Sequence, residues 1–200
     1  GGGIYNAGEL TLANCDISGN RSYKPGAGIA NANVMTITQC VISRNGTIST
    51  LGGKGPGIYN VGMLALSQST INGNGGGGVV NQGRLSISQS ILSGNTGVVD
   101  AAITSMGGVA EVNQCTVGGN RAISTAGGLL VYAGSLTVSN SIIYGNVSYT
   151  GLSNGDTQRV DGSLTIDNSL LGIGAPVGNG KNNKFGQDPL FVANPGAVGS

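Results

Sequence analysis

Residues 1–20 read GGGIYNAGELTLANCDISGN, and the order of residue types in this stretch returns along the whole chain. The stretch closes with a branched aliphatic residue, two variable residues and an asparagine. That block occurs six times: Ile17–Asn20, Ile42–Asn45, Ile71–Asn74, Leu92–Asn95, Val117–Asn120 and Ile143–Asn146. Successive asparagines are 25, 29, 21, 25 and 26 residues apart. A period in this range, with glycine-rich joints, is typical of a solenoid.

The apolar residues of each repeat alternate with polar ones, which is the pattern of a half-buried β-strand. Alignment of the repeats gives three aliphatic columns. The first contains Leu10, Met35, Leu64, Leu85, Ala110, Leu136 and Leu164. The second contains Leu12, Ile37, Leu66, Ile87, Val112, Val138 and Ile166, and the third Ile17, Ile42, Ile71, Leu92, Val117, Ile143 and Leu171. Such columns arise when a chain coils and each turn stacks on the last.

Amide side chains form further columns, which we interpret as structural ladders at the corners of the coil. One is the set of asparagines that close the six blocks. A second lies between the second and third aliphatic columns and contains Asn14, Gln39, Gln68, Gln89, Gln114, Asn140 and Asn168. A further amide recurs at Asn6, Asn31, Asn60 and Asn81. Stacked amides hydrogen-bond to the copies above and below, and asparagine tolerates the left-handed backbone that a corner needs.

These patterns predict an all-β protein that is a single right-handed parallel β-helix of about seven rungs, with three short strands in each rung. The predicted rungs are residues 1–25, 26–54, 55–74, 75–101, 102–126, 127–161 and 162–174, and residues 175–200 form a closing tail. Variable insertions follow the corner asparagine in most rungs, whereas Asn74 runs directly into Gly75. One edge of the rod is therefore expected to carry the loops, where solenoids often carry function.

Composition excludes several functional classes. The 200 residues include 39 glycines and no histidine, and the net charge is +1. A balance this close to neutral provides no field that would attract nucleic acid or an anionic membrane. Apolar runs are too short for a transmembrane helix, so we expect no membrane insertion in this segment. Without histidine, imidazole-based catalysis and imidazole metal sites are excluded, and no cofactor is expected.

The cysteines are Cys15, Cys40 and Cys115, and an odd, sparse set does not describe a disulfide scaffold. They share a column with serines at other rungs, which predicts small, buried free thiols. A bridge between Cys15 and Cys40 remains the alternative, because adjacent strands lie ~4.8 Å apart, within the range of a disulfide.

The pairing of Gly-Gly-X-aliphatic with aliphatic-x-x-Asn resembles the repeat of chlamydial-type polymorphic outer-membrane proteins. It is more similar still to bacterial right-handed parallel β-helix surface proteins. Matching stretches are Gly1–Ile4, Gly26–Ile29 and Gly55–Ile58, each with its asparagine block. The ending Gln187-Asp188-Pro189-Leu190-Phe191 resembles the DPLF segment that closes such helices and precedes an anchor. The resemblance implies an extracellular or cell-surface location in a bacterium, and it implies that more sequence follows Ser200.

Right-handed β-helices also include pectate lyases and polygalacturonases, so catalysis is a competing hypothesis. Glycosidases need converging carboxylates, and lyases need a base and commonly Ca²⁺. The one cluster of charge in the sequence lies in and after the longest insertion: Asp156, Arg159, Asp161 and Asp167. It is either a weak candidate site or a solvated loop in which aspartate and glycine make turns.

An outward column is unusually apolar, with Val41, Ile91, Ile142 and Leu170 as its large members. It suggests lateral packing against another chain or domain, or else ordinary strand propensity on a half-exposed wall. The first hypothesis for function is a non-enzymatic structural or adhesive rod that self-associates, head to tail or laterally, or joins neighbouring domains. The second is a polysaccharide-binding or polysaccharide-cleaving β-helix; a host surface is another partner to consider.

Overall fold

The computed structural model describes residues 1–47, 55–151, 155–172 and 179–190. Every strand pair in these residues is parallel, and no helix occurs in them. Equivalent segments of successive repeats pair with one another, so that each repeat is one turn of a coil. Three walls result, and we number them in the order in which a rung passes through them.

The first wall pairs short strands that follow the glycine joints: Ile4–Asn6, Ile29–Asn31, Ile58–Asn60, Val79–Asn81, the start of Ile103–Asn113, the start of Leu129–Ser139, and Thr157–Arg159. The second wall contains Glu9–Ala13, Val34–Thr38, Met63–Ser67, Arg84–Ser88, the ends of the same two long strands, and Ser163–Asp167. The third wall contains Asp16–Ser18, Val41–Ser43, Thr70–Asn72, Ile91–Ser93, Thr116–Gly118, Ile142–Tyr144, Leu170–Leu171 and Lys184–Phe185.

Two-residue strands line the corner after the third wall, which we call the loop corner: Arg21–Ser22, Gly46–Thr47, Thr96–Gly97, Arg121–Ala122 and Val147–Ser148. Gly75 joins this series through bridges to Gly46 and Thr96. The insertions leave the coil from here. Most of the insertion at 46–54, and residues 152–154 of the longest one, lie outside the described residues.

The register places equivalent side chains over one another. Leu12 pairs with Ile37, Ile37 with Leu66, and Leu66 with Ile87, without a shift. In the inner rungs the side chains of all three aliphatic columns are buried in one continuous core. Because the period-two alternation sends every second residue inward, stacking converts the sequence columns into vertical files of aliphatic side chains.

The fifth and sixth rungs depart from the pattern. Here the first and second walls merge into two 11-residue strands, Ile103–Asn113 and Leu129–Ser139. Their register shifts on either side of Met106. The four lower rungs turn at an asparagine, whereas these two carry Ser105 and Val131 at the paired positions. The corner amide is lost, so the strands continue through the bend.

The predicted closing tail begins as a partial eighth level. Ile166 and Asn168 donate their backbone N–H groups to the carbonyls of Asn179 and Lys181, and Lys184 donates to Ser169. Its outward side chains are polar or exposed. Residues 175–178 and 191–200 of the predicted tail lie outside the described residues. The predicted fold class, an all-β parallel β-helix of about seven rungs, is confirmed.

Candidate functional site

The asparagines that close the six repeats form a continuous ladder inside the loop corner. Each of the first five donates both its backbone N–H and its side-chain Nδ2 to the Oδ1 of the asparagine one rung on. The Nδ2–Oδ1 distances are 2.9–3.1 Å. In the inner rungs Nδ2 also donates to the backbone carbonyl of the third-column aliphatic residue in the preceding rung, as from Asn74 to Ile42. We call Asn20, Asn45, Asn74, Asn95, Asn120 and Asn146 the asparagine ladder.

A second ladder lies at the corner between the first and second walls. Asn6 Nδ2 donates to Asn31 Oδ1, Asn31 to Asn60, and Asn60 to Asn81, each at 2.8 Å. The same amides also bond to backbone carbonyls around the bend, so they fix its shape. It ends at the fourth rung, where the merged strands begin.

The column of Asn14, Gln39, Gln68, Gln89, Gln114, Asn140 and Asn168 behaves differently from the two ladders. All seven residues have positive φ, between 48° and 55°. All seven side chains are exposed, and within the described chain only Asn140 and Asn168 among them take part in amide–amide hydrogen bonds. Hydrogen-bonded stacking along the rod is thus found at the two buried asparagine columns, and this third column supplies the left-handed bend between the second and third walls.

A column of small residues makes room for the asparagine ladder. Its members, one per rung, are Gly3, Gly28, Gly57, Gly78, Ala102 and Gly128. A Cβ added at Gly57 would lie 2.7 Å from Cγ of Asn74, and one at Gly28 would lie 2.9 Å from Cγ of Asn45. The backbone of one segment therefore packs directly against the amides of the next corner.

Asp156, one of the four residues of the weak catalytic hypothesis, occupies the seventh position of that same column and ends the asparagine ladder. Its carboxylate accepts the backbone N–H of Asn146 at 3.1 Å and the Asn146 Nδ2 at 2.9 Å. It is 4% exposed, and it also accepts the Gly172 backbone N–H. Burial raises the pKa of this carboxyl above its ordinary value, against the opposing effect of these hydrogen bonds. The sequence shows why: Gly174 stands where earlier rungs have asparagine, so Asp156 supplies the acceptor.

The other three residues of that hypothesis have separate surroundings. Arg159 is exposed and donates to the carbonyl of Gly162 at 3.3 Å, while Asp161 accepts the Gly162 backbone N–H at 2.7 Å. Asp167 accepts the N–H of Lys181 at 2.7 Å. None of the four contacts another of the four, and in the part of the chain that the structure describes no three Cys, Asp or Glu residues come together to hold a metal ion.

The three cysteines are free and lie in a column with serines. At each level the hydroxyl or thiol accepts a backbone N–H from the preceding rung, as when Cys15 donates to Cys40 Sγ at 3.3 Å and Cys40 donates to Ser69 Oγ at 3.0 Å. Burial raises the pKa of the Cys40 and Cys115 thiols above their ordinary value. A thiol here replaces a serine hydroxyl in the same hydrogen-bonding role.

The apolar outward column faces solvent on the third wall. Val41 is 40% exposed and Ile91 is 44% exposed, while Ile142 and Leu170 are half-buried. Thr70 separates Val41 from Ile91 and Thr116 separates Ile91 from Ile142, whereas Ile142 and Leu170 are direct neighbours.

A groove of about 610 Å³ lies where the third wall meets the loop corner. Its lining comes from five successive rungs, from Asp16 on the first to Arg121 on the fifth. Glycines Gly73, Gly94 and Gly119 supply the floor, so the ligand-facing surface there is bare backbone. The third rung has no insertion, which leaves the loop edge low at the middle of the groove. Its volume is in the range of small-molecule sites in proteins. We call it the arginine groove.

Two arginines stand in the arginine groove, three rungs apart. Arg44 and Arg121 are both exposed, and neither forms an ion pair with a described carboxylate. A Cβ on Gly73 would lie 3.8 Å from Arg44 Cγ, so the Arg44 side chain passes over the third rung. The Arg121 guanidinium lies 5.4 Å from the centre of the Tyr149 ring, and Tyr149 is 62% exposed. Sequence reasoning missed this site, because the two arginines are 77 positions apart and only rung alignment brings them to one corner.

Arg44 is an exception at its position in the repeat. The equivalent residues of the other rungs are Gly19, Gly73, Gly94, Gly119 and Gly145, all with positive φ between 61° and 69°. Arg44 has the same left-handed backbone, with φ of 53°. The departure from glycine was visible in the aligned repeats and is the one signal that could have found the groove.

A smaller concavity of about 510 Å³ lies on the outside of the first wall. Tyr5 and Tyr59 stand on either side of Ala30, and Lys24 lies at its edge. The Tyr59 hydroxyl donates to Gln82 Oε1 at 2.9 Å. Lys24 is the one basic side chain among its lining residues.

The family model described as "Right handed beta helix region" matches residues 3–171 of the chain, from the first wall's first strand to the last buried leucine of the third wall. The chain belongs to the right-handed β-helix family. Comparison with curated proteins and comparison with solved structures gave no match. Within the described residues there is no helix long and apolar enough to cross a membrane. The family membership agrees with the predicted right hand and with the observed stacking and repeat, and it specifies an architecture rather than an activity.

Proposed function

We propose that this chain is a rigid, non-enzymatic β-helical rod with a structural or adhesive role on the outside of a bacterial cell. The asparagine ladder is the observation that carries the proposal. It connects every rung from Asn20 to Asp156 by buried hydrogen bonds next to an unbroken aliphatic core. Such a core resists local opening, so the loop corner is a rigid base from which the insertions leave the coil. The extracellular location rests on the resemblance to bacterial surface repeats.

The acids favour this proposal over a polysaccharide-cleaving enzyme. Hydrolysis by two carboxylates needs them to face one bond, at separations of roughly 5–9.5 Å. Asp156 is committed to the ladder, and Asp161 and Asp167 bind backbone N–H groups at different places. Glu9 and Glu111 lie on the outer face of the second wall, four rungs apart. Polysaccharide binding without cleavage is compatible with the same rod and is favoured by the arginine groove.

The test combines protease resistance with an assay for cleavage. The native protein is exposed to a broad-specificity protease, and the surviving fragments are identified by mass spectrometry. The rod proposal expects cuts only within the insertions at the loop corner. In parallel, incubation with acidic and neutral polysaccharides should yield neither new reducing ends nor unsaturated products. Catalytic turnover that disappears in Asp161→Ala or Asp167→Ala would contradict the proposal and support the enzyme instead.

Self-association is part of the same proposal. Ile4, Leu10, Leu12 and Cys15 of the first rung are only partly buried, whereas their equivalents in inner rungs are buried. The exposed Val41 and Ile91 offer a lateral contact. Sedimentation velocity over a wide concentration range tests both modes, with Leu12→Lys directed at end-to-end contact and Ile91→Lys at lateral contact. A single sedimenting monomer at all concentrations would remove self-association and leave the adhesive role standing.

A further inference from the structure

Arg44 destabilises its own backbone position. A left-handed conformation is unfavourable for a residue with a Cβ, whereas glycine adopts it readily. Five other rungs place glycine here, with the same backbone. The ladder also does not use the Arg44 side chain, which extends outward over Gly73. The amides at the bend between the second and third walls have positive φ in every rung, whereas Arg44 is the one non-glycine residue at its position in the described rungs, which makes its side chain a candidate for a function.

The charges in the arginine groove are sparse and of one sign over most of its length. Arg44 and Arg121 lie on rungs two and five, which are ~14 Å apart at ~4.8 Å per rung. The single acid of the lining, Asp16, lies on the first rung, beyond Arg44. An extended chain whose negative groups recur along it can place one of them at each arginine, with its hydroxyl groups over the uncharged stretch between the two.

Between the arginines the groove offers hydroxyl and amide groups over bare backbone. Thr96 lines it with an exposed hydroxyl side chain, and the half-buried Asn72 lies beside the floor glycines. At one end the exposed Tyr149 ring lies beneath Arg121, and such a ring is a flat apolar surface. Hydroxyl partners, a flat ring and separated cations are the groups that an acidic sugar chain binds.

We propose that the arginine groove binds a linear anionic polysaccharide lengthwise, with Arg44 and Arg121 each contacting a carboxylate or sulfate group. The inference deepens the adhesive role proposed above and rests on it. No bond is formed or broken. The arginines give a fork of N–H donors to each anionic group, and the glycine floor allows the sugar chain to approach the backbone. In the third rung Asn74 runs directly into Gly75, so that rung has no insertion of its own over the groove.

The experiment measures binding by isothermal titration calorimetry with four probes: polygalacturonate for carboxylates, dextran sulfate for sulfates, uncharged dextran, and single-stranded oligothymidylate. The expected result is binding of one or both acidic polysaccharides, weakened by salt, without binding of dextran. Which acidic polymer binds more tightly identifies the anionic group. Equal binding of dextran, tighter binding of oligothymidylate, or no binding of either acidic polymer would overturn the proposal.

The variants test whether binding depends on the arginines of the groove or only on the net charge of the protein. Arg44→Gly and Arg121→Ala should each weaken binding by about tenfold or more, because each removes a hydrogen-bonded charge pair. Arg84→Ala is the matched control: it removes the same charge from the exposed face of the second wall, away from the groove, and should change affinity less than about twofold. An equal loss in Arg84→Ala and Arg121→Ala would show that binding follows net charge and would overturn the site.

The melting temperature of Arg44→Gly separates a binding role of Arg44 from a structural role. It restores the glycine of the other rungs, so its melting temperature should equal or exceed that of the wild type while binding is lost. A lower melting temperature would assign Arg44 to the fold and contradict the proposal. Because protease resistance and the absence of cleavage products are read separately, failure of the glycan proposal is distinguishable from failure of the rod proposal.

Discussion

The backbone N–H and the side-chain Nδ2 of Asn146 both donate hydrogen bonds to the buried Asp156 carboxylate. Asp156→Ala removes their acceptor, and a buried donor left without a partner costs about 1–3 kcal/mol. We therefore expect the free energy of unfolding to fall by about 2 kcal/mol, measured by urea denaturation at neutral pH. Asp161→Ala is the control, since Asp161 is exposed and accepts only the N–H of the next residue. If both variants lose the same stability, Asp156 does not end the ladder as described.

The pH dependence of stability provides a second test of the same residue. Burial raises the pKa of Asp156 above its ordinary 3.8. The folded state then holds this proton more tightly than the unfolded state. The part of its contribution that comes from proton binding is therefore fully present below 3.8 and is lost as pH rises through the folded-state pKa, whereas the hydrogen bonds from Asn146 remain. We expect urea denaturation over a range from below pH 3.8 to neutral pH to show an advantage of the wild type over Asp156→Asn that is largest at the acid end and declines as pH rises. A flat difference across that range would contradict the raised pKa.

At the scale of the element, the contact between the glycine column and the asparagine ladder sets how closely a first-wall segment approaches the corner. Gly57→Ala would place a Cβ 2.7 Å from the Cγ of a ladder amide that hydrogen bonds hold in place. We expect a loss of about 1–3 kcal/mol, the usual range for inserting an atom into a packed interior. The melting temperature should fall accordingly.

Gly8→Ala is the matched control for that substitution. A Cβ at Gly8 meets nothing within 4 Å, and its φ is not in the left-handed region. This variant should be neutral or slightly stabilised, because alanine restricts the unfolded chain. Equal effects of the two substitutions would mean that the glycine column is not a packing requirement.

The aligned repeats were sufficient to predict the walls, the aliphatic files and the corners, because stacking transfers sequence period directly into register. Three features of the elements were not accessible in that way. The exposure of Gln39 and its equivalents depends on which side of a left-handed bend the side chain leaves. The merged strands depend on the loss of the amide at Ser105. Asp156 enters the ladder from a different part of the rung, so column alignment could not identify it.

At the scale of the whole molecule, the three cysteines can report the order in which the rungs of the coil open. Cys15, Cys40 and Cys115 lie on rungs one, two and five, and in a solenoid each rung is stabilised by its neighbours alone. Cys15 is partly buried at the first rung, while Cys40 and Cys115 are buried with raised thiol pKa values. Reaction with a thiol reagent, followed by mass spectrometry, should modify Cys15 first, then Cys40, then Cys115. Simultaneous modification of all three would indicate that the rod opens only as one unit.

The order of hydrogen bonds in the asparagine ladder has an electrical consequence. Every side-chain amide from Asn20 to Asn146 points its NH₂ group toward the later rungs and its oxygen toward the earlier ones. The amide dipoles therefore add along the rod axis, as peptide dipoles add along a helix, with the positive end at the last rungs. The ladder is thus polarised along its length, and the Asp156 carboxyl that accepts its last hydrogen bonds lies at the positive end.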